Sequence, residues 1–186
     1  MIKVFTGPMY SGKSLRLISE YNNIWNKDRV KVFKPSKDTR EYSKLYSRSS
    51  KSDIPCKVIS DLNDILDNLD DNTSTIFIDE VQFLSGSVDV LTSLSLKGID
   101  IYIAGLSLTS ELKPFGLMPD ILAVADEIEH CVAYCFDCNK HNAKYTYCLI
   151  DKQDDILVDG KTSIYLPLCS QCLSNRLKLE GGNNNE

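Results

Sequence analysis

The sequence predicts an α/β fold: a parallel sheet with helices on both faces, carrying a small second domain organised by cysteines. Three observations point there. A short apolar strand (Ile2, Val4, Phe5) runs into a glycine-bounded loop and then into a stretch with helical spacing. A second apolar strand, Thr75-Ile76-Phe77-Ile78, ends abruptly in Asp79-Glu80. Two identical Cys-x-x-Cys pairs, Cys135/Cys138 and Cys169/Cys172, occupy the last third of the chain. Strands that alternate with helical segments favour parallel pairing, because each parallel strand needs a crossover to return the chain.

At 186 residues the chain suits one domain with a small appendage. The expected division is an α/β domain over 1–134, a cysteine domain over 135–180 and an Asn-rich, disordered tail over 181–186. The net charge of −5 argues against a nucleic-acid or anionic-membrane partner. No apolar run approaches the ~20 residues needed to cross a bilayer. The N-terminus lacks a secretory pattern, so a cytoplasmic, reducing location is expected. There the seven cysteines are not expected to form disulfides.

The first strand leads into Gly7-Pro8-Met9-Tyr10-Ser11-Gly12-Lys13-Ser14, a match to the phosphate-binding P-loop pattern G-x-x-x-x-G-K-[ST]. Without a Cβ, Gly7 and Gly12 let the backbone turn tightly, so its N–H groups can face an anion at a helix N-terminus. Lys13 adds a charge for the outer phosphates, and the Ser14 hydroxyl suits Mg²⁺. A glycine turn that binds nothing is the competing reading; the flanking strand and helix pattern weigh against it.

Residues 14–26 place Leu15, Leu17, Ile18, Tyr21, Ile24 and Trp25 at helical spacing. Residues 30–33 read as a strand ended by Lys34-Pro35. Residues 36–55 are polar and aperiodic, so a mobile surface loop is expected. It contains Arg40 and Arg48, and long loops beside a P-loop can bring an arginine to the phosphates. A short strand over 56–59 and a helix over 62–69 capped by Asp61 follow. The strand ending in Asp79 has the form of a Walker B element, whose carboxylate reaches Mg²⁺. Neighbouring side chains on a strand face opposite ways, so either one carboxylate is active or the backbone turns and both reach the site.

Further on, a helix over 88–97 stops at Gly98, a buried strand covers 99–104, a short helix covers 121–125, and a last sheet strand spans 128–134. The paired cysteines have zinc-ribbon spacing. Four buried thiols or two redox pairs are the competing readings. Between the knuckles lie a β-ribbon over 145–150 and a polar loop over 151–163. A helical turn is expected over 174–179. Cys56, Cys131 and Cys148 fall outside the pattern and read as core or incidental.

Taken in order, these motifs resemble the type II thymidine kinases, the cytosolic kind found also in bacteria and large DNA viruses. The similarity runs from Lys3 to about Leu173. It rests on Gly7 to Ser14, on Ile78-Asp79-Glu80-Val81-Gln82-Phe83 against the family's D-E-x-Q-F, on Pro114-Phe115-Gly116, and on the cysteine pairs with Tyr165. The resemblance implies a P-loop NTPase-type α/β domain with a zinc-held lasso, usually in a homotetramer. It implies transfer of phosphate from ATP to the 5′-hydroxyl of thymidine, with Mg²⁺ and a structural Zn²⁺, and inhibition by thymidine triphosphate. Glu80 would be the general base. Asp79 and Ser14 would serve Mg²⁺; Gly7 to Ser14, Asp79 and Gln82 would line the ATP site; Arg40 and Arg48 would lie on the phosphate side. Met9, Phe83, Leu106, Phe115 and Thr146 would surround the base, and Val158, Asp159, Gly160 and Tyr165 would close over it. Cys135, Cys138, Cys169 and Cys172 would hold zinc.

Departures fall on the nucleoside side. Gly105-Leu106-Ser107-Leu108-Thr109-Ser110 stands where the family commonly reads G-L-D-G-T-F, Asp159-Gly160 replaces a Gly-Gly pair, and Cys148 replaces an arginine. They keep a kinase for deoxyuridine or a modified pyrimidine nucleoside open as a second reading. A P-loop ATPase switch with a zinc-ribbon partner module is the reading from another class, and a zinc-ribbon nucleic-acid binder the third.

Overall fold

A computed structural model describes residues 1–37, 44–45, 54–150 and 164–182. Among them, six strands form one all-parallel sheet in the order β3-β2-β4-β5-β1-β6. These are β1 (Ile2–Thr6), β2 (Val30–Pro35), β3 (Lys57–Ile59), β4 (Thr75–Ile78), β5 (Asp100–Gly105) and β6 (Glu127–His130). The period-2 alternation of each strand sorts its side chains between two cores. Ile2, Val4, Ile76, Ile78, Ile101 and Ile103 face one side. That side is covered by a 3₁₀ helix (Leu62–Asn68), α2 (Asp89–Leu96) and α3 (Met118–Val124). Phe5, Val32, Phe77 and Ala104 face the other, under Leu17 and Ile18 of α1 (Lys13–Asn23). Phe77 anchors this second core, stacked on Tyr102 with centroids 4.8 Å apart and meeting Tyr21 edge-on at 5.6 Å. Both faces of the sheet are thus covered, as its apolar strands require.

Several elements differ from expectation, each for a local reason. Helix α1 stops at Asn23, because Ile24 turns extended and the Lys27 ammonium binds the carbonyls of Tyr21 and Ile24. Lysine commonly closes a helix C-terminus this way. Trp25, expected on the buried face, is 98 % exposed. Asp61 caps as predicted, in a reciprocal box with Asp64, but the helix it starts is 3₁₀. Helix α3 begins three residues early, since Pro119 sits in its first turn, where its missing N–H costs nothing. Within the segment expected to be a mobile surface loop, Leu45 and Ile54 pair through Leu45 N–H to the Ile54 carbonyl and pack into the α1-side core.

The expected strand over 128–134 is two elements. Strand β6 ends at His130, and the chain leaves the sheet at Cys131. Strand β7 (Ala133–Tyr134) then pairs with β8 (His141–Ala143) to open the small domain. That domain continues with β9 (Tyr145–Cys148) paired antiparallel to β10 (Tyr165–Leu168), and with α4 (Ser170–Gly182). Helix α4 is longer than the turn expected over 174–179 and takes in Cys172 as well as Gly181 and Gly182 of the expected tail. Residues 183–186 of that tail lie outside the described residues. No helix among the described residues is long and apolar enough to cross a membrane.

Trp25, the chain's one tryptophan, should give red-shifted, water-like emission that acrylamide quenches freely in the native protein. Blue-shifted, protected emission would place it back on the buried helix face.

Candidate active site

The site lies at the carboxyl ends of β1, β4 and β5, where parallel sheets present their loops. Strand β1 delivers the chain to Gly7, whose φ of 153° and position against the Cys131 carbonyl leave no room for a side chain. A Cβ there would lie 2.2 Å from that oxygen. The loop that follows carries Tyr10 at φ 67°, and Gly12 sits left-handed immediately before α1. Lys13, 8 % exposed, donates from its ammonium to the Pro8 carbonyl at 2.8 Å, and Ser11 Oγ donates to the same oxygen at 2.8 Å. A buried ammonium at a helix N-terminus makes this end of the molecule attractive to anions.

Opposite stands Asp79, 3 % exposed, just beyond β4. The Ser14 hydroxyl lies 3.1 and 3.0 Å from its two carboxylate oxygens, which join the loop after β1 to the loop after β4. The Asp79 amide donates to the Phe33 carbonyl, so the strand pairing continues one residue past β4 and aims this side chain at α1. Glu80 then takes a left-handed backbone, φ 51° and ψ 39°. The chain therefore turns at Glu80, so its side chain need not point away from Asp79 as it would on a continuing strand. The Glu80 amide itself donates to Asp79 Oδ1 at 3.0 Å.

Gln82 is 2 % exposed. Its Nε2 donates to Glu80 Oε2 at 2.6 Å and its Oε1 accepts the Leu106 N–H at 3.0 Å. Phe83 and Phe115 meet edge-to-face with centroids 5.3 Å apart, a geometry aromatic rings favour. Phe115 is delivered by a reverse turn in which its N–H donates to the Ser107 carbonyl and Thr109 N–H to the Lys113 carbonyl. Leu106 opens that segment, half-buried.

The small domain reaches this loop through Thr146. Its hydroxyl, on a 7 % exposed side chain, accepts the Met9 N–H at 2.9 Å, across 137 residues of sequence. Tyr165 is buried opposite Cys148 in the β9–β10 pair. Burial and then the Cys148 sulfur hold its phenol above the ordinary range. Leu149 N–H donates to the Ile164 carbonyl, so the two ends from which residues 151–163 depart are hydrogen-bonded together. Val158, Asp159 and Gly160 belong to that segment and lie outside the described residues, as do Arg40 and Arg48.

All four ligand sulfurs of Cys135, Cys138, Cys169 and Cys172 lie within 4.8 Å of one another. This is one cluster, not two separate thiol pairs. A tetrahedral Zn²⁺ with Zn–S bonds near 2.3 Å would set its sulfurs ~3.8 Å apart, and Cys138 and Cys169 stand 3.9 Å apart. Burial opposes a charge on Cys135, yet the amides of Cys169, Cys138 and Asp137 outweigh it and bring this thiol down to about 6. Meanwhile hydrogen bonding to Cys169 and its neighbours pushes Cys172 up to about 12. Four like charges at this spacing would repel one another without a cation between them, and the donor set and sulfur spacing fit zinc. Arg176 of α4 grips Asp137 with two hydrogen bonds of 2.8 and 2.6 Å, tying the second knuckle's helix to the first knuckle.

One residue escaped sequence reasoning. Lys34 is 2 % exposed at the end of β2, and the β2–β4 register, continued by the Asp79–Phe33 bond, places it beside Asp79. Lys34-Pro35 reads in the sequence as the end of a strand, yet β2 runs through Pro35, and only the sheet order sets Lys34 next to the buried carboxylate.

Comparison with known proteins agrees with this architecture. A family model described as "Thymidine kinase" matches residues 1–173. A thymidine kinase of Mycoplasma mobile is 35 % identical, covering 92 % of this chain and 86 % of its own length. One from Bacteroides fragilis is 34 % identical over 95 % and 88 %, and one from Pseudothermotoga lettingae 30 % identical over 92 % and 93 %. With nearly the whole chain matched, and the loop, the two carboxylates and the sulfur cluster inside the matched span, this chain belongs to the thymidine kinase family.

Proposed function

We propose that this chain transfers the γ-phosphate of ATP to the 5′-hydroxyl of thymidine, giving thymidine 5′-monophosphate. The observation that carries the reading is the pairing of Ser14 with Asp79 while Glu80 turns back beside them. Phosphoryl transfer needs little covalent help from a protein; it needs charge stabilisation, in-line positioning and a group to receive the alcohol proton. Residues Gly7 to Ser14 would hold the ATP phosphates, with the Lys13 ammonium swinging from the Pro8 carbonyl to the outer phosphates. Ser14 and Asp79 would hold Mg²⁺, which when bound neutralises the phosphate charge. Asp79 is then committed, and the Glu80 carboxylate is the group left to take the 5′-hydroxyl proton as the P–O bond forms.

On the acceptor side, Met9, Phe83, Leu106, Phe115 and Thr146 would form the pocket for the flat base, with Tyr165 and residues 158–160 closing over it. Arg40 and Arg48 would meet the phosphates. Gln82, expected to line the ATP site, is buried with its amide on Glu80 and Leu106, so in this reading it serves the site through those two residues rather than by touching ATP. The division into a donor domain (1–134) and a zinc lasso (135–180), a homotetrameric assembly, inhibition by thymidine triphosphate and a cytoplasmic location complete the proposal by analogy with the family.

A second reading, a kinase for deoxyuridine or a modified pyrimidine nucleoside, is favoured by one observation. Ser110 stands where the family carries an aromatic residue, and its hydroxyl is buried with no partner among the described residues. A polar atom left so is a ready partner for a ligand group.

Glu80→Gln should lower turnover by about a hundredfold or more while ATP binding persists; undiminished turnover would remove Glu80 as base. In a nucleoside panel with labelled ATP, thymidine should be phosphorylated in preference to deoxyuridine, and purine nucleosides should be left untouched. Equal rates on purines and pyrimidines, or ATP hydrolysis indifferent to any nucleoside, would overturn the assignment. Cys138→Ser should purify with well under one zinc per chain and a lowered melting temperature. Full zinc content in that variant would contradict the four-sulfur site.

A further inference from the structure

We propose that Gln82 is a positioning residue, a two-ended clamp that holds the Glu80 carboxylate in register with the pocket wall at Leu106; this rests on the reading of Glu80 as base. The side-chain amide spans two segments that are distant in sequence. At one end Nε2 donates to Glu80 Oε2 at 2.6 Å. At the other, Oε1 accepts the Leu106 N–H at 3.0 Å, from the loop that follows β5. The orientation of the amide is not arbitrary. A flipped amide would set an oxygen against a carboxylate and an NH₂ against a backbone N–H, two repulsions in place of two bonds. The bond to Glu80 is charge-assisted and so the stronger of the two.

The main chain of Gln82 is held as firmly as its side chain. Gly116, at φ 51°, lies over its carbonyl so closely that a Cβ there would come within 2.2 Å of the oxygen. The turn that delivers Phe115 is therefore seated directly on Gln82. Three pieces of the site meet at this residue: the carboxylate after β4, the wall after β5, and the aromatic turn. At 2 % exposure Gln82 has little surface left for a phosphate or a base.

The need for such a clamp follows from the Glu80 backbone. A left-handed conformation is costly for a residue with a Cβ and persists only where its surroundings hold it. The Gln82 bond narrows the rotamers open to a long side chain leaving such a turn. Proton transfer requires one of them, within hydrogen-bond reach of the acceptor alcohol. Because the same amide also grips Leu106, the base is set in relation to the wall of the pocket that positions that alcohol.

The test is a double-mutant cycle read by steady-state and single-turnover kinetics on thymidine and ATP. Gln82→Met keeps the volume and loses both bonds; Gln82→Glu keeps an acceptor for Leu106 and replaces the donor facing Glu80 with a carboxylate. Each should lower kcat about tenfold or more with the KM for ATP within about twofold, and each should add almost nothing in a Glu80→Gln background, since a clamp has no effect once its client is gone. Losses that multiply with Glu80→Gln would show that Gln82 acts independently and overturn the proposal. So would a raised KM for ATP at undiminished kcat, the mark of a nucleotide contact, or failure of both variants to fold, the mark of a purely structural residue. Full activity of Glu80→Gln alone would be a separate result: it would remove the base reading on which the clamp rests.

Discussion

One hydrogen bond, from the Ser14 hydroxyl to the Asp79 carboxylate, ties together the parts on which the site depends. The sheet order places β4 and β1 on either side of β5, so their following loops emerge at the same end, one strand apart. Asp79 is nearly inaccessible, and a buried carboxylate is tolerated only where it is paired or hydrogen-bonded. Here the Ser14 hydroxyl and the Glu80 amide supply those bonds. The same arrangement places a hydroxyl, a carboxylate and a helix N-terminus around one point. The rest of the molecule can be understood as whatever keeps these two loops in register.

Gly7 and its neighbours do this on the β1 side. The loop can start its turn only because the chain after β6 packs its Cys131 carbonyl where a side chain would have been. The departure of the chain from the sheet at Cys131, the absence of a Cβ at Gly7 and the left-handed entry into α1 are one structural event. On the β4 side, the reversal at Glu80 and the buried Gln82 amide play the corresponding part. Leu106 is held by that amide, and the turn carrying Phe115 passes against the Gln82 carbonyl at Gly116.

The small domain is attached to this frame at a telling place. Thr146 bonds the backbone of Met9, inside the loop itself, and Thr146 is the second residue of β9, whose partner β10 runs directly into Cys169 of the sulfur cluster. Four converging cysteines, the Arg176–Asp137 pair and the short β9–β10 ladder make this domain rigid without a large core, a device small domains commonly need. The Thr146–Met9 bond thereby joins the cysteine-bearing part of the chain to the glycine-bounded loop after β1.

Much of this was legible in the amino-acid sequence because it is encoded locally. Short apolar runs mark β1, β4 and β5; Asp61 announces a cap; the spacing Gly7 to Ser14 and the two Cys-x-x-Cys pairs each state their chemistry within a few residues. What could not be read locally was decided by packing. Trp25 reads as part of an apolar stripe, yet the helix ends two residues before it, because Lys27, two residues beyond it, closes the carbonyls of Tyr21 and Ile24. Leu45 and Ile54 looked like loop and became core, because the face above α1 had room for them. Lys34 reads only as the end of a strand, and the strand order buries it beside Asp79. Above all, Asp79-Glu80 and Gly7 to Ser14 each declared a site on their own, but nothing in either stretch says that they share one. The sequence by itself determined which groups are present and how each short stretch turns. Only the parallel order of β4, β5 and β1 brought Ser14 within 3.1 Å of Asp79 and Gln82 within reach of both Glu80 and Leu106, since such contacts depend on which strands lie side by side rather than on which residues follow one another.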